Sequence, residues 1–517
     1  MSQIFHTFRK DARRHWVEIL VSLLLLAVYT WQEPRTWGAR VYAFGFMRLL
    51  EGTVDVLLPV SWCFLIVRVI HGEALVGDRQ FWVTRPYEWW KLLAAKVFFV
   101  AAFINVPLFV AQAILLKEAG VAIVPRLVGV LQMHVGIGLV FLLPATLGAV
   151  TRGLGQAVLV AIGAILALMG AAALSSVIPN AEMSWVDAVG KELQGWLALL
   201  APSGAILWQY ARRRTWQSRR LLLGAAAAML LIEVASPYDS LVRKRYALVA
   251  EGRRAPVQLA FEPEAAPAKK KEPLRNWRDE MFIRIPLRVS GVGADKVVDV
   301  AGVRVEIEGP NGIRWSPGWK GRGPGFWPDQ ESASVSFEMK KELFERMKSL
   351  PVTMRISLAM TEYSEREVRE VVATDGEFVV PGVGLCRIED GSLRSLQCRA
   401  PLREPSVMAS VASSKTACSG EEESDLKAPE ERVLHVLRQR GDDDFVNFGI
   451  SPVRVFPIYF DDSYVRRSSA RKDLNLRLCP GAHIRFAKPE EVGRSRIELK
   501  VEGVRLEDYE VSRWMLD

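Results

Sequence analysis

The sequence predicts a polytopic α-helical membrane bundle of about six to seven transmembrane helices, followed by a mostly-β, sandwich-like extracytoplasmic domain. Three observations predict it. Long apolar runs are confined to residues 16–236, although 24% of the 517 residues are charged. Beyond residue 237 no run approaches the roughly 18 residues a spanning helix needs, and the apolar period changes from helical to two. Basic residues cluster beside the apolar runs, as they do in loops that meet an anionic leaflet.

Residues 1–16 read as an amphipathic interfacial helix. Phe5, Phe8, Ala12 and Trp16 recur at helical spacing, with Arg9, Lys10, Arg13 and Arg14 elsewhere on the wheel. Tyr29, Thr30 and Trp31 follow the first apolar run where a signal peptide would need small residues, so no cleavable signal is expected. A transmembrane domain over 17–236 divides into candidate spans at 17–31, 54–70, 92–116, 127–150, 154–178, 193–211 and 221–235. Pro202, Ser203 and Gly204 predict a broken or re-entrant sixth helix. Asp55 and Glu233 read as span-boundary carboxylates.

One set of loops carries Arg9, Lys10, Arg13, Arg14, Arg79, Arg85, Lys91 and Arg152, together with the arginines of 211–220. The alternate loops carry fewer, with Arg35, Arg40, Arg48, Lys117 and Lys191 among them. This asymmetry predicts a cytoplasmic N-terminus in a cell (inner or plasma) membrane, and seven crossings would export the C-terminal domain. Arg243, Lys244 and Arg245, just beyond the last span, run against that orientation. The same asymmetry accounts for much of the net charge of +9 and sets nucleic-acid binding aside.

Residues 237–280 read as a linker, rich in Pro263, Pro267, Pro273 and Lys269–Lys271. A β-rich module is expected over 281–402, a disordered excursion over 403–431, and a second β-rich module over 432–517. Ile283, Ile285, Leu287 and Val289 alternate with Arg284, Pro286 and Arg288; Val303, Val305 and Ile307, and Ile497, Leu499 and Val501, alternate likewise. Each strand should therefore have one buried and one wet face. A single helix is expected near residues 340–349.

Cys386 and Cys398 bracket a hairpin with Asp390-Gly391 at its turn, which permits a disulfide; Cys418 and Cys479 would form a second. Four reduced thiols are the alternative. Cys63 reads as packing within a span. No Cys/His spacing suggests a metal, no cofactor is implied, and no ATP-binding loop, nucleophile elbow or zincin helix occurs. His134, within a span, reads as a packing histidine before a proton carrier. Enzymatic activity in this chain is not expected.

The stretch from His71 to Lys96, HGEALVGDRQFWVTRPYEWWKLLAAK, is the most informative. Gly77 and Pro86 bracket a short segment bearing Asp78, Arg79, Phe81, Trp82 and Arg85, and Trp89 and Trp90 mark re-entry into the membrane. On physical grounds alone this is a basic loop with an aromatic belt, or else a docking knob for a soluble partner. The stretch resembles the coupling-helix region of ABC-2 type transporter permeases, with Glu73, Gly77, Pro86 and Lys96 in the matching places. The amphipathic N-terminal helix is similar to the connecting helix of those permeases. The resemblance implies a membrane subunit that pairs as a homodimer or heterodimer with lipid around it, and ATP hydrolysis on a separate ATP-binding subunit. Arg79, Phe81, Trp82 and Arg85 would then contact that subunit. The seventh span and the β domain depart from the family's six-span plan. The rival expectation is a membrane-anchored sensory or binding protein whose exported β domain recognises a ligand or envelope partner.

Overall fold

The computed structural model describes residues 2–37, 46–73, 76, 88–175, 188–235, 238–249, 255–265, 280–388 (apart from 322, 324 and 329), 395–412, 433–438, 450–460 and 480–511. Its first half is helical: α1 (Ser2–Arg14), α2 (Trp16–Thr36), α3 (Phe46–His71), α4 (Trp89–Val100), α5 (Val106–Glu118), α6 (Leu127–Val150), α7 (Leu154–Ser175), α8 (Ala188–Arg212), α9 (Thr215–Ala235) and α10 (Tyr238–Arg245). Among the described residues four helical stretches are long and apolar enough to cross a bilayer: Trp16–Thr36, Gly52–His71, Trp89–Glu118 and Val124–Val150. The bundle turns large apolar side chains outward, including Leu24, Val60, Val97, Val110, Leu159 and Leu166. That arrangement suits hydrocarbon and not water.

Helix α4 continues into α5 through a π-helical stretch, Ala101–Asn105. The cause is local. Pro107 has no N–H and its ring crowds the carbonyl four residues earlier, and the wider turn absorbs both problems. Helix α8 runs unbroken through Pro202, contrary to the expected break. Hydroxyls cluster at this turn, where Thr146 Oγ1 donates to the Pro202 carbonyl and Ser203 Oγ to that of Leu199. Helices α3 and α6 pack at Gly148, where a Cβ would lie 3.2 Å from Ile70 Cβ. A larger residue there would press α3 and α6 apart by a few tenths of an ångström.

The second half holds β1 (Gln258–Phe261), β2 (Glu280–Ser290), β3 (Lys296–Glu308), β4 (Arg314–Trp315), β5 (Trp319–Gly321), β6 (Ser332–Lys340), α11 (Lys341–Met347), β7 (Val352–Val372), β8 (Glu377–Val380), β9 (Gly384–Ile388), β10 (Ser395–Pro401), β11 (Val407–Ala412), β12 (Val433–Arg438), β13 (Val453–Tyr459), β14 (His483–Val504) and β15 (Glu510–Val511). One sheet has the order β12-β11-β14-β7-β3-β4, with β5 also on β3; a second has β1-β2-β15 with β6 on β2; a third is β13-β10-β9-β8. The first two share a core built from Ile283, Ile285, Leu287, Val305, Ile356 and Leu358 among others.

Several expected boundaries change. Strands from 281–402 and from 432–517 occur together in all three sheets, so these are not separate modules; the β7–β14 pairing alone joins Val352 to Val504. The expected linker contains α10 and β1. Val242 of α10 and Tyr246 just after it bury against Ala301, Trp319 and Ala359, and β1 pairs with β2. The expected excursion contains β11, held between β12 and β14. Strand β2 has no wet face over most of its length: Phe282 and Arg284 are as buried as the residues between them. The helix expected near 340–349 is α11.

Cys386 and Cys398 face each other across β9 and β10 and are disulfide-bonded, both fully buried. Cys418, Cys479 and the Asp390-Gly391 turn lie outside the described residues.

The β region seats on one end of the bundle. Gln112 Nε2 of α5 donates to the Ile450 carbonyl at 2.9 Å, and Ile450 and Val453 pack among bundle side chains. Leu402 presses on Gly129 of α6, and Arg399 lies over the Trp37 ring. The opposite end, where α3 and α6 finish and α4 and α9 begin, carries the polar groups described next.

Candidate functional site

Helices α1 and α2 are joined by a bend at one residue. His15 donates its backbone N–H to the Asp11 carbonyl, and Ile19 donates to that of His15. Helix α1 lies along α4 rather than extending α2, because Phe8 enters an aromatic cluster with Phe98, Phe99 and Phe103; its ring stacks on Phe103 at 5.5 Å. This places the side of α1 that carries Thr7, Asp11 and His15 in the interior, and all three are buried.

Asp11 there meets two residues from elsewhere in the chain. Lys96, in the second turn of α4, donates its Nζ to Asp11 Oδ2 at 2.6 Å and to Glu73 Oε1 at 2.8 Å. Glu73 follows α3 directly, and its backbone N–H bonds the Ile70 carbonyl. All three side chains are nearly inaccessible. One ammonium thus clamps α1, the end of α3 and the start of α4. A buried charge is tolerated only when paired and hydrogen-bonded, so the three residues hold one another in place. Two carboxylates face one ammonium, and Tyr210 of α8 is buried close by with its hydroxyl unpaired among the described residues.

Around the clamp the same end of the bundle is knit by polar contacts. Arg68 and His15 each approach Glu18 to 3.5 Å. His71 Nε2 lies 2.9 Å from Thr151 Oγ1, linking the ends of α3 and α6. Arg219 directs Nη2 and Nε at the Val150 carbonyl, at 2.7 and 3.1 Å, a cation capping the C-terminus of α6. Arg212 lies over Trp208 and Arg220 over Trp216, so arginines at the end of α8 and in the first turns of α9 sit with aromatic rings as at a membrane boundary. Burial lowers the affinity of His15 for a proton, despite the opposing pull of Glu18, and favours its neutral form. By contrast Arg243 is tied to Asp239 within α10, which also accepts from Trp319 Nε1 and Arg304. That part of the basic 243–245 cluster therefore belongs to the docking of α10 on the β sheet.

Of the residues singled out from sequence, the structure brings Glu73 and Lys96 together. Gly77, Asp78, Arg79, Phe81, Trp82, Arg85 and Pro86 lie outside the described residues. Asp11 was not anticipated, although Thr7, Asp11 and His15 recur every fourth residue and form a polar line beside Phe8 and Ala12. His134 packs beside Phe109, its Nε2 buried and unpaired among the described residues.

Fold and site together define a helical, bilayer-compatible region with a charge clamp at one end and a β-rich region at the other. No protein-family model matches the sequence, and no characterised protein is significantly similar to it.

Proposed function

We propose that the chain is the membrane subunit of an ATP-driven exporter, similar to ABC-2 type permeases, working with a separate ATP-binding subunit. The observation that supports this reading best is the Asp11–Lys96–Glu73 clamp. Residues 73–91 are the segment the resemblance assigns to coupling. A push on that segment would reach α3 through Glu73, α4 through Lys96, α1 through Asp11 and α2 through the bend at His15. In a transporter these connections turn nucleotide-driven closure of the partner into a tilt of the spans.

In this reading α7, α8 and α9 also cross the membrane, giving seven spans with a cytoplasmic clamp and a sandwich-like extracytoplasmic domain. An odd number of crossings is supported by the β region seating on the end of the bundle opposite the clamp. The pairing of Cys386 with Cys398 agrees with an oxidising compartment. The contacts of Ile450 and Leu402 with the helices also suit the second reading, a sensor whose β domain signals through the bundle.

Affinity purification of the detergent-solubilised chain from its native host separates the two. Wild type is expected to recover an ATP-binding subunit, and Glu73→Ala/Pro86→Ala to lose it at equal expression. Phe81→Ala/Trp82→Ala, which leaves the clamp intact, should lose it as well. Recovery of no ATPase by the wild type would sink the transporter reading and favour the sensor.

A further inference from the structure

Helix α1 does not close fully against α2 and the α4–α5 helix. Between them lies an open groove of about 710 Å³, walled by Phe5, Phe8, Leu20, Leu23 and Phe103. Its volume is that of a ligand pocket, but its lining is almost wholly apolar. The exceptions stand at the rim. Arg9 and Arg13 are one helical turn apart on the exposed side of α1, and neither has an ion-pair or hydrogen-bond partner among the described residues. The pairs made by Asp11, Glu18 and Glu73 are directed elsewhere, so the rim carries two uncompensated guanidinium groups.

An apolar trough crowned by paired guanidinium groups on an interfacial helix matches one class of molecule. We propose that it is a specific site for an anionic phospholipid of the leaflet in which α1 lies. An acyl chain occupies the trough and the phosphodiester bridges Arg9 and Arg13, whose planar forks suit phosphate oxygens. A zwitterionic lipid fills the trough equally well but brings a cation to the same rim. The site also bears on the clamp, because Asp11 lies between Arg9 and Arg13 in sequence and faces the opposite way, to Lys96. A lipid holding the outer face of α1 therefore holds Asp11 against its partner. The inference rests on the membrane placement of α1 and is independent of the transporter reading.

The test is native mass spectrometry of the full detergent-solubilised chain, titrated with phosphatidylglycerol or phosphatidylcholine of identical acyl chains. The two lipids share the phosphodiester and differ in net headgroup charge, and two arginines at an anionic surface correspond to a preference for the anionic lipid of roughly thirtyfold. Arg9→Gln/Arg13→Gln should bring that preference close to parity, whereas Arg212→Gln/Arg220→Gln, at the same end of the bundle, should leave it intact. Leu23→Trp, which fills the trough and keeps both arginines, should reduce retention of both lipids. Equal retention of the two lipids by wild type would overturn the proposal. So would an unchanged preference in the Arg9/Arg13 variant, or full retention in Leu23→Trp. No arm depends on an ATPase, so failure here is distinct from failure of the pull-down.

Discussion

The two ends of the helical bundle are closed by different physics. At one end, buried charge holds α1, α3 and α4 through Lys96, and the half-buried Arg219 caps α6. At the other, the β region is seated mostly by neutral contacts: the Gln112 amide on the Ile450 carbonyl, Leu402 on Gly129, and Ile450 and Val453 among apolar side chains, with Arg399 over the Trp37 ring as the charged exception. A joint made of apolar area is tolerant, because each contact contributes little and neighbours can relax. A joint made of three buried charges is all-or-none, because loss of any member strands the others. Under the transporter proposal, the β region rides on the bundle as a fixed cap and the charged end is the one that responds to the ATP-binding subunit.

The largest effect should come from breaking the clamp at its shared member. Lys96→Met leaves Asp11 and Glu73 as adjacent buried carboxylates and should cost roughly 3–5 kcal/mol, read by thermal unfolding in detergent. Asp11→Asn/Glu73→Gln/Lys96→Met removes the charges together and should recover most of that loss. If the single and triple variants melt alike, the clamp is not a charge-coupled unit.

Next in size is the Cys386–Cys398 disulfide, which closes a 12-residue separation within the β9–β10 hairpin. Replacing both with alanine should cost roughly 2–3 kcal/mol, mostly through the unfolded state. If the cap is rigid but separate, hydrogen exchange should quicken in β9, β10 and β13 and leave α1 and α4 unchanged. Exchange spreading to the clamp would show that the two ends are not independent.

Smaller again is a wedge at the neutral joint. A Cβ on Gly129 would lie 2.3 Å from Leu402 Cδ1, the tip of a flexible side chain that can swing aside, although the Leu402 backbone is already in a left-handed conformation (φ 67°). Gly129→Ala should therefore cost only about 0.5–1 kcal/mol, with faster proteolysis near residues 402 and 450. Leu402→Gly, which removes both the collision and the strain, should restore the protease resistance of Gly129→Ala.

The helical half was legible because its signals are local. Apolar runs, the wheel of Phe5, Phe8, Ala12 and Trp16, and aromatic-basic boundaries at Trp89 and Trp90 each lie within a few turns of chain. Glu73 and Lys96 are marked by the resemblance alone. Asp11 did not, because one acid among Arg9, Lys10, Arg13 and Arg14 reads as surface charge, and its burial follows from Phe8 docking on Phe103 far along the chain. The β half was legible strand by strand but not as a whole. Alternation marked Ile283, Leu287 and Val305 as inward, yet it carries no information about which strand pairs with which. Hence β7 and β14 fall in different expected modules although they share the longest ladder among the described residues. Nor does alternation reveal when a strand's second face is also covered, as it is at Phe282 and Arg284.

The smallest effect distinguishes the two ends by pH. Burial holds His15 below its ordinary value of 6.5, so between its folded value and 6.5 the unfolded chain binds a proton that the fold resists. Stability at the clamp end is then fully present above about pH 6.5 and falls as pH drops through that window. Asp239 belongs to the β region. Burial works against its charge, but Trp319, Arg304 and Arg243 outweigh this and hold it below its ordinary 3.8. Its contribution persists down to that value and is lost only as pH falls further, through the folded value. Hydrogen exchange followed across pH should therefore show α1 and the start of α2 loosening in mildly acid conditions, while α10 and β3 stay protected until much lower pH. His15→Gln should flatten the first transition and leave the second alone. Simultaneous loosening of both ends, unaffected by His15→Gln, would mean that the bundle and its cap open as one unit, and the contrast between a charged joint and a neutral one would carry no functional weight.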